Sequence, residues 1–132
     1  MAGLSIPKSL RELLALSATL LIGTWASVTS AQEVSFKDDV FPILELRCAE
    51  CHSAGGVGFV ASGLDLTSYE GIMAGTKDGL MVIPGKWIES NLLAVIEHRT
   101  KPEIWMPYNR RMLSKCEILQ LRFWVLQGAR NN

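Results

Sequence analysis

Two cysteines and a histidine lie close together near the middle of the chain, in the run Cys48-Ala49-Glu50-Cys51-His52. Two thiols three positions apart can both reach the vinyl groups of one haem and form thioethers with it. His52 follows directly, so its imidazole can point towards the iron as the fifth ligand. The motif therefore predicts one covalent haem c, held by Cys48, Cys51 and His52.

Three other chemistries share a Cys-x-x-Cys pair and stand as alternatives to haem. A thioredoxin-like redox pair requires a strand before it and a long helix after it, whereas here a helical pattern precedes the motif and a glycine-rich stretch follows. A zinc site could draw on Cys48, Cys51 and Cys116 with His98 or His52. An unmodified structural pair is the third alternative. The full Cys-x-x-Cys-His pattern favours haem over all three.

A haem iron bound by one histidine takes a second axial ligand or keeps an open sixth position. Met106 is the preferred ligand, because it lies in an irregular segment before Pro107 and far downstream of His52. The chain can therefore wrap the haem and return on its other face, with Met106 held extended by the proline. His98 would give bis-histidine ligation instead. Met73 and Met112 are better explained as core filler, whereas Met81 is a possible ligand but a weaker candidate than Met106.

Helical signals dominate the segments that must position these groups. Asp39 is predicted to cap a helix that runs towards Cys48, with Pro42 in its first turn. Residues 53–63 contain four glycines and are predicted to form a loop. Thr67 and Glu70 resemble a capping box for a short helix over residues 69–74.

The second half of the chain continues the helical pattern. Ser90 is predicted to cap a helix that reaches residue 96, and residues 100–112 are predicted to form an ordered loop. Ser114 and Glu117 make the clearest capping box, which starts a terminal helix ended by Gly128. No convincing strand alternation occurs, so we predict a small all-α domain over residues 32–132.

Residues 1–31 have the order of a secretory signal. Lys8 and Arg11 come first, the segment 13–25 is apolar or small throughout, and small residues lead to a cleavage site after Ala31. The alternative is a retained membrane anchor, because no charge occurs over residues 13–32. Under both interpretations the domain faces an oxidising, extracytoplasmic space, and we expect the periplasm.

Charge is balanced overall but unevenly distributed. The 132 residues include 13 basic and 13 acidic side chains, which disfavours a nucleic-acid binder and an acidic disordered tail. Residues 32–97 carry 4 basic and 10 acidic groups, whereas residues 98–132 carry 7 basic and 2 acidic groups. A basic rim therefore flanks Met106, and we expect it to steer an acidic redox partner. The alternatives are a solvated surface or counter-charges for haem propionates. The rim comprises Arg99, Lys101, Arg110 and Arg111.

Several short motifs follow one another in order along residues 40–129: Val40-x-Pro42-Ile43-Leu44, Gly63-Leu64-x-Leu66, Val82-Ile83-Pro84-Gly85, Ser90-x-Leu92, Met106-Pro107, Leu113-Ser114-x-x-Glu117-Ile118 and Trp124-x-x-x-Gly128-Ala129. Together with Cys-x-x-Cys-His, this order resembles that of planctomycete-type cytochrome c domains. The sequence departs from that pattern in having Cys116 inside the last capping box, which we expect to be a buried or half-buried free thiol.

The resemblance implies a class-I-like cytochrome c fold, in which N- and C-terminal helices cross near a haem with His and Met ligands. Trp124 is then expected to pack where these terminal helices meet. It assigns Met106 to the methionine of the family's Met-Pro step. It further implies a periplasmic monohaem electron carrier or electron-transfer subunit, with any catalysis belonging to a partner. The alternatives are a haem protein whose open sixth position senses or activates a small ligand, and a zinc-stapled interaction module.

Overall fold

The structure is a computed structural model that describes residues 32–132. The predicted export signal, residues 1–31, lies outside the described residues. The described part contains five α-helices and no strand, apart from an isolated bridge between Thr76 and Gly79. These helices are α1 (Phe41–Arg47), α2 (Val57–Ser62), α3 (Tyr69–Ala74), α4 (Asn91–Ile96) and α5 (Lys115–Leu126). The predicted all-α class is confirmed. Among residues 32–132, no helix combines the length and apolarity needed to cross a membrane.

The first helix begins four residues before the position predicted from the sequence. A π-helical turn, Phe36–Val40, runs directly into α1, and its N-cap is Ser35 rather than Asp39. The Ser35 hydroxyl accepts a hydrogen bond from the Asp38 amide at 3.1 Å, while the Asp39 carboxylate accepts one from the Ser35 amide at 2.8 Å. Asp39 therefore supports the cap from inside the helix. The prediction that Asp39 caps the helix was wrong. Ser35 and Asp39 are both good capping residue types, so residue type alone did not identify the cap.

Helix α2 occupies part of the stretch predicted to be a loop. It is bounded by Gly56 and by Gly63, which adopts a left-handed φ of 78°. The amides of Gly58 and Phe59 donate to the Cys51 carbonyl at 2.9 and 3.0 Å. This helix is therefore held against the cysteine motif by tertiary contacts, which the local glycine content did not indicate.

Two further caps differ from the prediction, although both helices form. Ser68, not Thr67, caps α3 by accepting from the Gly71 amide at 3.0 Å. Ser90 occupies the N-cap position of α4 but makes no cap bond. It is fully buried, and its hydroxyl instead accepts from the Ile83 amide at 2.9 Å. Ser90 thus fixes the preceding turn rather than the helix end.

The terminal helix α5 forms as predicted. Ser114 accepts from the Glu117 amide at 3.2 Å, and the Glu117 carboxylate accepts from the Ser114 amide at 2.6 Å, which completes the capping box. Trp124 is 1% exposed and packs on Phe36 with the ring centroids 5.4 Å apart. The first and last helical segments therefore meet at Trp124, which confirms the predicted packing of the chain ends.

The shared core surrounds this contact and draws on every α-helix except α2, together with the intervening turns. Its buried apolar side chains are Phe36, Val40, Ile43, Leu44, Leu64, Leu66, Ile72, Val82, Leu92, Leu93, Ile96, Leu113, Leu121, Trp124, Val125 and Ala129. Helix α4 is also tied to α5 by an ion pair, since Arg122 binds Glu97 at 2.7 Å. The core thereby fixes the segments on either side of the cysteine motif.

Candidate haem site

The cysteine motif forms a tight turn directly after α1. The amides of Cys51 and His52 donate to the Cys48 carbonyl at 3.1 and 3.0 Å, so the two thiols stand one helical turn apart. Both cysteines are free and partly buried. Burial raises the pKa of the Cys48 thiol to about 11, so this thiol is protonated at neutral pH. The turn has the donor set and local geometry that thioether attachment of a haem requires.

His52 is oriented by the chain that follows it. Its Nδ1 lies 3.3 Å from the Leu64 carbonyl oxygen, and since a carbonyl can only accept, Nδ1 carries the proton. Nε2 is then the unprotonated nitrogen, the form that binds a metal. Burial lowers the pKa of His52, and the bond to Leu64 offsets part of that effect. The lowered pKa favours the neutral imidazole, which is the form that binds iron.

Glycine keeps space beside the Nε2 atom of His52. A Cβ atom at Gly58 would lie 2.8 Å from both Nε2 and Cε1 of the imidazole, and one at Gly56 would lie 2.4 Å from the Cys51 carbonyl oxygen. Both separations are shorter than van der Waals contact. Gly56 and Gly58 are therefore required by close packing on the motif, which the sequence interpretation missed; their close spacing after the motif was the available signal.

Gly58→Ala should therefore destabilise the domain, by about 1–3 kcal/mol for an overpacked contact. The direction of the change in stability makes this variant a sensitive test, because replacing a helical glycine by alanine otherwise stabilises a protein by up to about 1 kcal/mol. The measurement is the free energy of unfolding in denaturant. Val60→Ala in the same helix, where the side chain is 72% exposed, is the control. A stabilised Gly58→Ala variant would contradict the close contact with His52.

Met106 lies in the loop between α4 and α5, partly buried and packed against the core. Its amide donates to the Val95 carbonyl at 3.1 Å, so α4 fixes its backbone. The Met106–Pro107 peptide is cis. Beyond Pro107, the loop returns to the cysteine motif: Arg110 binds Glu50 with two hydrogen bonds of 2.8 Å. The structure therefore brings the Met106 loop and the cysteine motif together across the sequence.

The other candidate axial ligands are placed differently. His98 ends α4 with a left-handed φ of 56°, and its ring stacks flat on Trp105 with centroids 4.4 Å apart. Met73 and Met81 pack against the core, in keeping with a filler role. Met112 is 40% exposed, so its prediction as core filler was wrong. It follows the exposed run of the loop and precedes the buried Leu113.

The zinc alternative finds no matching geometry in the part of the chain that the structure describes. Over residues 32–132, no group of three or more His, Cys, Asp or Glu side chains is close enough to hold a metal ion. Cys116 lies exposed on the first turn of α5. The expectation of a buried or half-buried thiol there was wrong, because the second position of this helix faces solvent.

A helical domain with a Cys-x-x-Cys-His turn that presents two thiols and an imidazole is typical of c-type cytochromes. Comparison with protein families places the chain more closely. Residues 48–107 match the model of the family described as Planctomycete cytochrome C, from the first motif cysteine to the proline after Met106. This match over 60 of the 132 residues supports a planctomycete-type cytochrome c domain and confirms the resemblance seen in the sequence. Searches of curated proteins and of solved structures gave no match.

Proposed function

We propose that this protein is a periplasmic monohaem cytochrome c that carries single electrons between redox partners. In this proposal Cys48 and Cys51 form the thioethers, and His52 and Met106 are the axial ligands of the iron. A haem bound in this way supplies an iron that alternates between the ferrous and ferric states. The chain's own residues attach it, orient His52 and bring Met106 to its second face.

One observation carries the proposal: the loop that contains Met106 is tied to the same turn that bears the two thiols and His52. The Glu50–Arg110 pair makes that link across 60 positions of sequence. This link relates Met106 to the turn that bears His52, although the two residues lie 54 positions apart in the sequence. The alternative ligand His98 is engaged with Trp105, which supports Met106 in the sixth position.

Electron transfer follows from the proposed ligand set. If His52 and Met106 both held the iron, no coordination position would be left for a substrate. A methionine thioether favours ferrous iron and raises the reduction potential, as in electron carriers. An open sixth position would instead suit sensing or activation of a small ligand, and this is the alternative function that the test must separate.

The test is an optical spectrum of oxidised and reduced protein, exported from a host with c-type haem maturation. We expect c-type haem bands and a weak sulfur-to-iron band in the wild type. Met106→Ala should lose the sulfur-to-iron band and keep the haem bands. The matched control is Met81→Ala, since Met81 is also partly buried against the core.

The other possible spectra would support different interpretations of the site. Haem without a sulfur-to-iron band in the wild type would favour His98 or an open sixth position. A colourless protein after maturation would overturn the cytochrome proposal itself. The mass of the same exported protein tests the proposed cleavage after Ala31, because a retained segment adds the mass of residues 1–31.

We also propose that the basic rim steers anionic partners to the haem edge. Two of its members are locally paired, Arg99 with a carboxylate at 2.6 Å and Arg110 with another at 2.8 Å. Lys101 and Arg111 form no ion pair within residues 32–132. These two residues therefore contribute most to the attraction at long range.

The double variant Lys101→Glu with Arg111→Glu should slow oxidation of the reduced protein by hexacyanoferrate(III) at low salt, by about two- to tenfold. A cationic cobalt(III) oxidant serves as the control, and its rate should rise. Both effects should shrink as ionic strength increases. Equal rates for wild type and variant with both oxidants would rule out steering by this rim.

A further inference from the structure

The segment after Met106 has little apolar burial to hold it in place. Residues 108–112 are all exposed, and buried side chains resume only at Leu113. Within the segment, Asn109 adopts a left-handed φ of 52°, and the Arg110 amide closes a turn on the Pro107 carbonyl at 3.2 Å. A surface loop with so few buried contacts opens at low free-energy cost unless polar contacts restrain it.

Two arginines supply such contacts, and each links the loop to the segment around the cysteine motif. Arg110 binds the Glu50 carboxylate with two hydrogen bonds of 2.8 Å, the geometry that gives such pairs their directionality. Arg47, the last residue of α1, donates from Nη2 to the Arg111 carbonyl at 2.7 Å and to the Met112 carbonyl at 3.2 Å. The downstream half of the loop is thus fastened on both sides of Cys48.

We propose that Arg47, Glu50 and Arg110 form an arginine clasp that keeps Met106 on the iron. They are positioning residues, since none of them is itself a proposed ligand. The inference rests on the proposed function, because it takes Met106 as the sixth ligand. Upstream, the Val95 carbonyl fixes the Met106 backbone. Downstream, the clasp makes the only hydrogen bonds within residues 32–132 that link the exposed residues 108–112 to the segment around the motif. Opening of the clasp therefore exposes the sixth position to external ligands.

The two halves of the clasp differ in exposure. The side chains of Arg110 and Glu50 are 48% and 72% exposed, so water and salt weaken their attraction. The Arg47 side chain is 23% exposed and bonds two carbonyls that have no other partner in the loop's hydrogen bonds within residues 32–132. Loss of Arg47 should therefore have the larger effect.

The experiment measures release of Met106 from ferric holoprotein with imidazole as the probe. At saturating imidazole, the sulfur-to-iron band disappears at the rate at which Met106 leaves the iron. We expect Glu50→Gln and Arg110→Gln each to raise that rate about two- to fivefold, as for an exposed ion pair. Arg47→Gln should raise it about tenfold, as for lost charge-assisted hydrogen bonds.

A matched control is available in another exposed ion pair. Lys86 binds Glu89 at 3.1 Å with both side chains 58% exposed, and neither residue contacts the Met106 loop or the motif. Glu89→Gln should leave the release rate unchanged. The double variant Glu50→Gln with Arg110→Gln should release Met106 no faster than either single variant. The charge swap Glu50→Arg with Arg110→Glu should restore slow release.

Ionic strength adds a second readout that a general loss of stability would not reproduce. Added salt should accelerate release in the wild type and leave the rate of Glu50→Gln nearly constant, because the variant has lost the screened attraction. The free energy of unfolding of each variant, measured in parallel, separates local opening of the loop from global destabilisation.

The outcomes for the clasp and for the proposed function are distinct. A wild type with a Met106-dependent band, and clasp variants that release Met106 at the wild-type rate, would overturn the clasp alone. A haem-containing wild type without that band would overturn Met106 ligation and the clasp with it. Faster release in Glu89→Gln to the same extent as in Glu50→Gln would also overturn the clasp.

Discussion

Trp124→Ala should lower the free energy of unfolding by about 3–5 kcal/mol, the usual cost of truncating a buried large aromatic side chain. Trp124 is 1% exposed, and its ring packs on Phe36 and Tyr69 at centroid distances of 5.4 and 6.4 Å. Its indole Nε1 also donates to the Arg130 carbonyl at 2.9 Å, which the variant leaves without a partner. Truncation therefore removes the contact between the first and last helical segments.

Denaturant unfolding of the holoprotein measures this loss, with Phe123→Ala as the control. Phe123 is the neighbouring aromatic residue on α5 and is 46% exposed, so its truncation should cost much less. A domain of this size has a total stability of about 5–15 kcal/mol, so the Trp124 variant should unfold at a much lower denaturant concentration. Equal midpoints for the two variants would contradict the placement of Trp124 at the helix crossing.

The parts of the fold that the sequence predicted correctly are those specified by neighbouring residues. The capping box at Ser114 and Glu117 spans four positions and formed as predicted. The terminal helix forms where its helical spacing predicted it, and Leu121, Trp124 and Val125 make up its buried face. Local hydrogen bonds and periodicity were sufficient for these elements.

The errors in the fold arose where a tertiary contact outweighed a local preference. The glycines near residue 56 predicted a loop, but α2 forms there because its first amides bond the Cys51 carbonyl. The backbone approaches the motif so closely at Gly56 and Gly58 that a side chain does not fit there. These glycines therefore reflect close packing and not the loop that glycine clusters usually indicate. At the first helix, Ser35 and Asp39 are both capping residue types. The structure shows that Ser35 is the N-cap and that Asp39 accepts a hydrogen bond from the Ser35 amide.

The same division applies to the candidate site. Cys48, Cys51 and His52 are contiguous, so their geometry follows from one turn of chain and was readable from the sequence. Glu50 and Arg110 stand 60 positions apart, and each is an ordinary surface residue by type. Their pairing depends on how the loop after Met106 returns to the motif. Sequence patterns do not encode that path, so the arginine clasp required the structure.

Met106→Ala should lower the reduction potential of the haem by on the order of 0.1 V, since axial ligands set haem potentials over roughly 0.8 V. A thioether stabilises ferrous iron, and water or a vacant position in its place does so less well. The measurement is a spectroelectrochemical titration of the exported holoprotein. Met81→Ala, which changes a partly buried methionine packed on the same core, should keep the wild-type potential.

Carbon monoxide binding to the ferrous protein is a second test of Met106 ligation. If Met106 is the sixth ligand, it must leave before carbon monoxide can bind, so binding to the wild type should be slow and should level off at high gas concentration. In Met106→Ala the sixth position is open, so the rate should rise in proportion to carbon monoxide concentration. If both proteins bind the gas equally fast and have equal potentials, Met106 is not a ligand. An unchanged potential with slow binding in both proteins would point instead to His98, and His98→Ala should then open the site.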